Sequence, residues 1–221
     1  MLTESEENYV KAIFKIAEKE KKAVSTTAIA THLNTSPASV TDMIKKLADK
    51  DFVEYERYYG VTLTASGIRE ATQLIRRHRL WEVFLVEKLR FSWHQVHEIA
   101  EQLEHVHSEE MVARLDAFLD YPRFDPHGDP IPNSDGKFTL RTQEALSAFS
   151  PGQHGVVLGV KEHDTPFLTY LNQIGIRLGT EIKVLESIQF DKSQRVMIDR
   201  KKETTLTHAV SQLLLMKKKG A

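Results

Sequence analysis

The sequence has no cysteine. Disulfides, thiolate nucleophiles and thiolate metal sites are therefore excluded, and any bound metal must rest on imidazole, carboxylate or amide donors. Long apolar stretches are missing as well: none approaches the ~20 residues of a membrane span. The opening MLTESEEN lacks the basic, apolar, small-residue order of a secretory signal. A cytoplasmic protein with no membrane partner is expected. Excess charge of either sign is also absent, with 30 basic side chains against 31 acidic ones. That balance argues against an indiscriminate polyanion binder, so any contact with DNA has to be local and conditional. There is no His-Glu-x-x-His zinc signature, no Gly-x-Ser-x-Gly elbow and no phosphate-cradling glycine loop, and an enzyme is not expected.

A chain of 221 residues, 41% of them hydrophobic, can bury a compact core and a smaller appendage. Thr3 followed by Glu6 reads as a capping box, after which Tyr9, Val10, Ile13, Phe14 and Ile16 recur at helical spacing and leave Lys11 and Lys15 for solvent. Ser25 can cap a short second helix. Asn34 suits a turn, and Ser36-Pro37 is a strong start for a third helix whose buried stripe is Val40, Met43, Ile44 and Leu47. Its other face carries Ala38, Ser39, Thr41, Asp42 and Lys45, side chains small enough or polar enough to lie in a DNA major groove. Such a composition also fits an ordinary solvated helix face. The segment that follows favours DNA: two alternating strands, from Phe52 and from Val61, flank a Gly60 turn, and Arg57, Tyr58 and Tyr59 at the tip suit phosphate contact. Three helices and a hairpin in this order define a winged helix-turn-helix.

Beyond Thr64 the pattern predicts a long helix to about Arg90, a second over roughly Ser92–His107 and a third over Glu109–Leu119. Their apolar faces exceed what the small winged unit can cover, which points to a homodimer. Five of the ten histidines fall between His78 and His107. At 3.6 residues per turn, His97, Glu101, Glu104 and His105 share an arc of roughly 100°, while His78 and Glu82 are one turn apart on the preceding helix. Converging carboxylates repel, and a divalent cation relieves that cost. A donor set of nitrogen and oxygen alone suits Mn(II) first and Fe(II) next, with Co, Ni or Zn able to substitute in vitro.

Taken together, the segments SEENYVKAIF, SPASVTDMIKKL, VTLTASG, RRHRLWE, VHEIAEQLEH and DPHGDPIP resemble the diphtheria toxin repressor family, the iron- and manganese-dependent bacterial repressors. That resemblance implies a regulatory metal site at Asn8, Glu101, Glu104 and His105 and a second site at His78, Glu82 and His97. It also implies corepression, in which metal fastens the first helix to the dimerisation helices so that two winged units meet double-stranded operator DNA. Glu101 stands where iron-type members carry cysteine; Asn8 and Lys11 stand where manganese-type members carry acids.

Residues Tyr121 to Asp135 are rich in Pro, Gly and Asp and read as a linker. Strands are expected over 155–160, 181–185 and 195–198, a short helix over 166–172, and a closing strand or helix after Ala209. This part resembles the SH3-like, FeoA-like domain of the longer family members, where a side chain can complete the second metal site; Asp164 is the expected contributor. The fold class is thus mainly α with a small β domain: residues 1–64 winged helix-turn-helix, 65–138 helical metal-binding and dimerisation domain with linker, 139–221 SH3-like domain. Two rival readings stand beside it. One is a di-metal carboxylate, ferritin-like protein, for which Glu104 and His107 supply one Glu-x-x-His motif where two are needed. The other is a DNA-binding regulator triggered by a small molecule.

Overall fold

The computed structural model describes residues 2–20, 22–56 and 58–219. Arg57, expected at the tip of the wing, lies outside the described residues. The chain forms two compact units: Met1–Trp81, Glu101–Leu115 and Ile131–Phe138 in the first, Glu82–Ala100, Asp116–Pro130 and Thr139–Ala221 in the second.

In the first unit, helix α1 (Glu4–Glu20) starts at the expected capping box: Thr3 N donates to Glu6 Oε2 at 2.9 Å and Glu6 N to Thr3 Oγ1 at 3.3 Å. Ser25 Oγ caps α2 (Thr26–His32), Asn34 turns the chain at φ 49°, and Ser36 Oγ accepts from Ser39 N to cap α3 (Pro37–Asp49). Strands β1 (Val53–Glu56) and β2 (Gly60–Leu63) pair antiparallel as the wing, and Val24 bridges to Val61 beside them. Val10, Ile13, Ile29, Val40, Ile44, Leu47 and Val61 make the core. Helix α4 (Ala65–Glu87) follows, its first turn pressed against the wing: a Cβ on Gly67 would stand 2.1 Å from the Phe52 carbonyl oxygen. Lys11 departs from expectation. It is only 4% exposed, because its charge meets Glu101 and the buried Glu104 far along the chain.

Helix α5 (Val96–Leu103) is shorter than the periodicity suggested, whereas α6 (Glu109–Phe118) starts at the expected Glu109 and stops one residue before Leu119. Helix α5 stops at Leu103 and the Glu104 carbonyl accepts instead from Arg77 Nε at 2.6 Å, which leaves Glu104 and His105 in a turn.

A six-stranded antiparallel sheet dominates the second unit, with β3 (Glu144–Ala145), β4 (His154–Val160), β5 (Glu181–Ser187), β6 (Gln194–Ile198), β7 (Lys202–Leu206) and β8 (Leu214–Lys218) in the order β3-β8-β4-β5-β6-β7. Helices α7 (Thr165–Ile174) and α8 (His208–Leu213) accompany it, and Gly175 ends α7 in the left-handed conformation at φ 85°. Leu146, Val157, Leu168, Leu171, Ile182 and Leu206 are buried around Trp93. The expected linker is no open tether. Asp125 and His127 are 4% and 2% exposed, since Asp125 Oδ1 closes a tight turn by accepting from His127 N and Asp129 N. Two units of this make-up also leave no ferritin-like four-helix bundle among the described residues.

Candidate metal centre and nucleic-acid interface

Helix α1 meets the turn after α5 within the first unit through charge. Lys11 Nζ lies 2.7 Å from Glu101 Oε1 and 2.7 Å from both oxygens of Glu104, whose side chain is fully buried. His78, from α4, places Nδ1 2.6 Å from Glu104 Oε2. Glu7, also fully buried, joins Arg77 at 2.8 Å through Oε1 and His105 Nδ1 at 2.6 Å through Oε2, with His107 Nε2 3.5 Å away. The other His105 nitrogen, Nε2, is 3.9 Å from Glu104 Oε1. One turn beyond Lys11, Lys15 is held below the usual lysine range, first by burial and then by the Lys11 charge. Glu70 is pushed up by burial, although Arg77 pulls the other way.

Asn8 sits one turn before Lys11 on the same side of α1, and its buried Oδ1 accepts no hydrogen bond among the described residues. An acceptor oriented this way is costly unless a cation or donor meets it. Of the implied second set, His78 belongs to the first unit, whereas Glu82 and His97 belong to the second.

In the second unit Glu82, Asp125 and His127 each offer a ligand atom within 4.8 Å of the others, and all three are buried. His97 Nδ1 is 3.5 Å from Glu82 Oε1, and His127 Nδ1 is 3.6 Å from Glu82 Oε2. Nε2 of His127 faces the Trp93 carbonyl at 2.8 Å. Burial alone would lower the His127 pKa, yet the Glu82 carboxylate, helped by Asp125 and the Trp93 carbonyl, raises it to about 9. The His163 ring packs 4.9 Å from His127, and its Nε2 is 3.7 Å from Asp129 Oδ2. Burial first, and His127 as a like charge, keep the His163 pKa low against the pull of Asp129. Asp164, the residue named from the sequence, turns its Oδ1 to Phe167 N at 2.6 Å as the cap of α7. Asp125 and His127 escaped the sequence reading because a Pro/Gly/Asp-rich run signals only a turn; the pair Asp125-x-His127 near a carboxylate-bearing helix was the available clue.

On the winged side, Ser36, Pro37, Ala38, Ser39, Asp42 and Lys45 are exposed along α3 and Thr41 is half-buried. Thr41 Oγ1 donates to the Pro37 carbonyl, and Lys45 stands 3.7 Å from Asp42. Tyr58 and Tyr59 are 90% and 74% exposed on the wing, Tyr58 at φ 72°.

A winged helix followed by converging buried carboxylates and imidazoles defines a class, the DNA-binding proteins that answer to metal. Residues 1–61 match the iron dependent repressor N-terminal DNA binding domain, residues 64–133 the iron dependent repressor metal binding and dimerisation domain, and residues 144–218 the FeoA domain. The chain is 36% identical to a manganese-dependent transcriptional repressor solved in complex with manganese, with a TM-score of 0.85 over 96% of this chain and 99% of that one. It is 37% identical over 119 residues to an uncharacterised HTH-type transcriptional regulator of Methanocaldococcus jannaschii, covering 54% of this chain and 95% of that protein. To the diphtheria toxin repressor of Corynebacterium efficiens it is 27% identical over 194 residues, 83% of this chain and 84% of the relative. The chain belongs to the diphtheria toxin repressor family of metal-dependent transcriptional repressors.

Proposed function

We propose that this chain binds operator DNA as a homodimer when Mn(II), or Fe(II) as the next choice, is held by Asn8, Glu101, Glu104 and His105, and so controls genes of metal homeostasis. The supporting observation is the convergence on α1 of charge from the end of α5 and the turn after it: Lys11 on Glu101 and the buried Glu104, Glu7 on His105. The donor set suits a hard or borderline ion, and Asn8, whose buried Oδ1 accepts no hydrogen bond among the described residues, would contribute a neutral oxygen. A divalent ion there would add to the positive charge that Lys11 already brings to these acids. Asn8 belongs to the helix on which α2 and α3 pack, so fixing Asn8 fixes the attitude of the reading helix. Glu82, Asp125 and His127 offer a second position, with His97 beside Glu82.

A duplex selected in vitro for binding in Mn(II) supplies the probe. Fluorescence anisotropy with Mn(II), with Fe(II) under anaerobic conditions and with chelator tests the reading, and chelation is expected to weaken binding by about 5–150-fold, the scale of ordinary allosteric coupling. Equal affinity after exhaustive chelation overturns it. The manganese-bound relative favours Mn(II) as the first ion to try.

A further inference from the structure

Glu7 is the most deeply buried acid on α1, and its two oxygens do different work: Oε1 takes the Arg77 guanidinium at 2.8 Å and Oε2 takes His105 Nδ1 at 2.6 Å. An ionised carboxylate can only accept, so Nδ1 must carry a proton. In a neutral imidazole the lone pair then lies on Nε2, and Nε2 is the nitrogen that faces Glu104 Oε1. Arg77 secures both ends of this arrangement, because its Nε also holds the Glu104 carbonyl, the peptide that leads into His105.

We infer that Glu7 is a positioning residue for His105: it fixes the ring in the Nδ1–H tautomer and presents Nε2 towards Glu104. The inference rests on the reading of Asn8, Glu101, Glu104 and His105 as the regulatory metal set. It adds a coupling that the ligands alone do not provide. Glu7 rides on α1 beside Asn8, so a shift of α1 withdraws the group that orients His105 as well as the Asn8 oxygen. Carboxylate–histidine pairs of this kind support metal ligands in general, and losing one typically weakens metal binding 10–100-fold.

Glu7→Gln makes the test sharp. Arg77 has only donors, so it claims the new side-chain oxygen and leaves the amide NH2 towards His105. Nδ1 must then accept, and the proton moves to Nε2. Long-range proton–nitrogen correlation spectra, recorded without added metal, are expected to show His105 as Nδ1–H in the wild type and as Nε2–H in Glu7→Gln. Mn(II) affinity, read by competition with a fluorescent chelator, is expected to fall 10–100-fold while the thermal midpoint shows a folded protein. The wild-type spectrum decides without any substitution: an Nε2–H ring there overturns the role of Glu7, as does Mn(II) affinity unchanged in Glu7→Gln. The two readings fail separately. His105 resonances left unbroadened by Mn(II) in the wild type overturn the metal reading, whichever tautomer is present.

Discussion

Lys11 shows how far one side chain depends on partners that its neighbourhood in sequence does not reveal. Among Val10, Lys11 and Ala12 it reads as the solvated position of an amphipathic helix, but its ammonium lies between Glu101 and Glu104, some ninety residues away. Replacing it by methionine leaves the buried Glu104 carboxylate short of a counter-ion. Breaking such a pair costs about 3–5 kcal/mol, and the low end is expected because His78 still engages Glu104. Urea unfolding of Lys11→Met with and without Mn(II) checks this: the deficit relative to wild type should shrink when the ion supplies the missing charge. A deficit unaffected by Mn(II) would mean that the lysine and the ion do not share these acids. His127 was hidden for a related reason, since its burial comes from Trp93 and Glu82 rather than from its own Pro- and Gly-rich segment.

Elements that signal themselves locally were legible. Helices α1, α2 and α3 follow from caps and apolar spacing, and their starts fall at Thr3, Ser25 and Ser36 because those side chains satisfy free backbone NH groups. Strand β7 gave no such signal: Lys202-Glu-Thr-Thr-Leu is nearly all polar and runs at the sheet edge, where one face and one flank need no apolar residue. The end of α5 was equally hidden, because a carbonyl bond from Arg77 ends it rather than a glycine or proline. Two predictions belong here. Gly67→Ala should destabilise the first unit by about 1–3 kcal/mol, the usual cost of overpacking, because the added methyl strikes the Phe52 carbonyl; calorimetry reads the loss. Lys50 binds both oxygens of the buried Glu6, tying α3 to α1, and this contact, with the Thr3 cap, lowers the Glu6 pKa. The folded state therefore binds this proton less readily than the unfolded chain, so the stabilisation is present above the ordinary carboxylate range, near about pH 4.3, and is lost as pH falls through the lower folded value. Denaturant titrations should show Glu6→Gln less stable than wild type at pH 7, with the gap closing in acid.

At the scale of the molecule, apolar surface is the feature without an owner. Leu89, Phe118 and Tyr121 are exposed in the second unit, Phe118 at 63% with Phe84 and Lys88 beside its ring. A homodimer would cover such a surface. Phe118→Asp is accordingly expected to sediment as a monomer at micromolar concentration in Mn(II), where the wild type sediments as a dimer; a wild-type monomer under those conditions counts against the dimer.

Strand β8 sits between β3 and β4 rather than at a border of its sheet. A ribosome that has just added Thr207 has therefore delivered five of the six strands while β3 still lacks its neighbour and β4 lacks one of its two. During translation the winged unit's helices and hairpin can settle early, but the six-stranded sheet must wait for Leu214–Lys218. Until then its unmatched strand edges stand open to nascent-chain chaperones, proteases and other polypeptides.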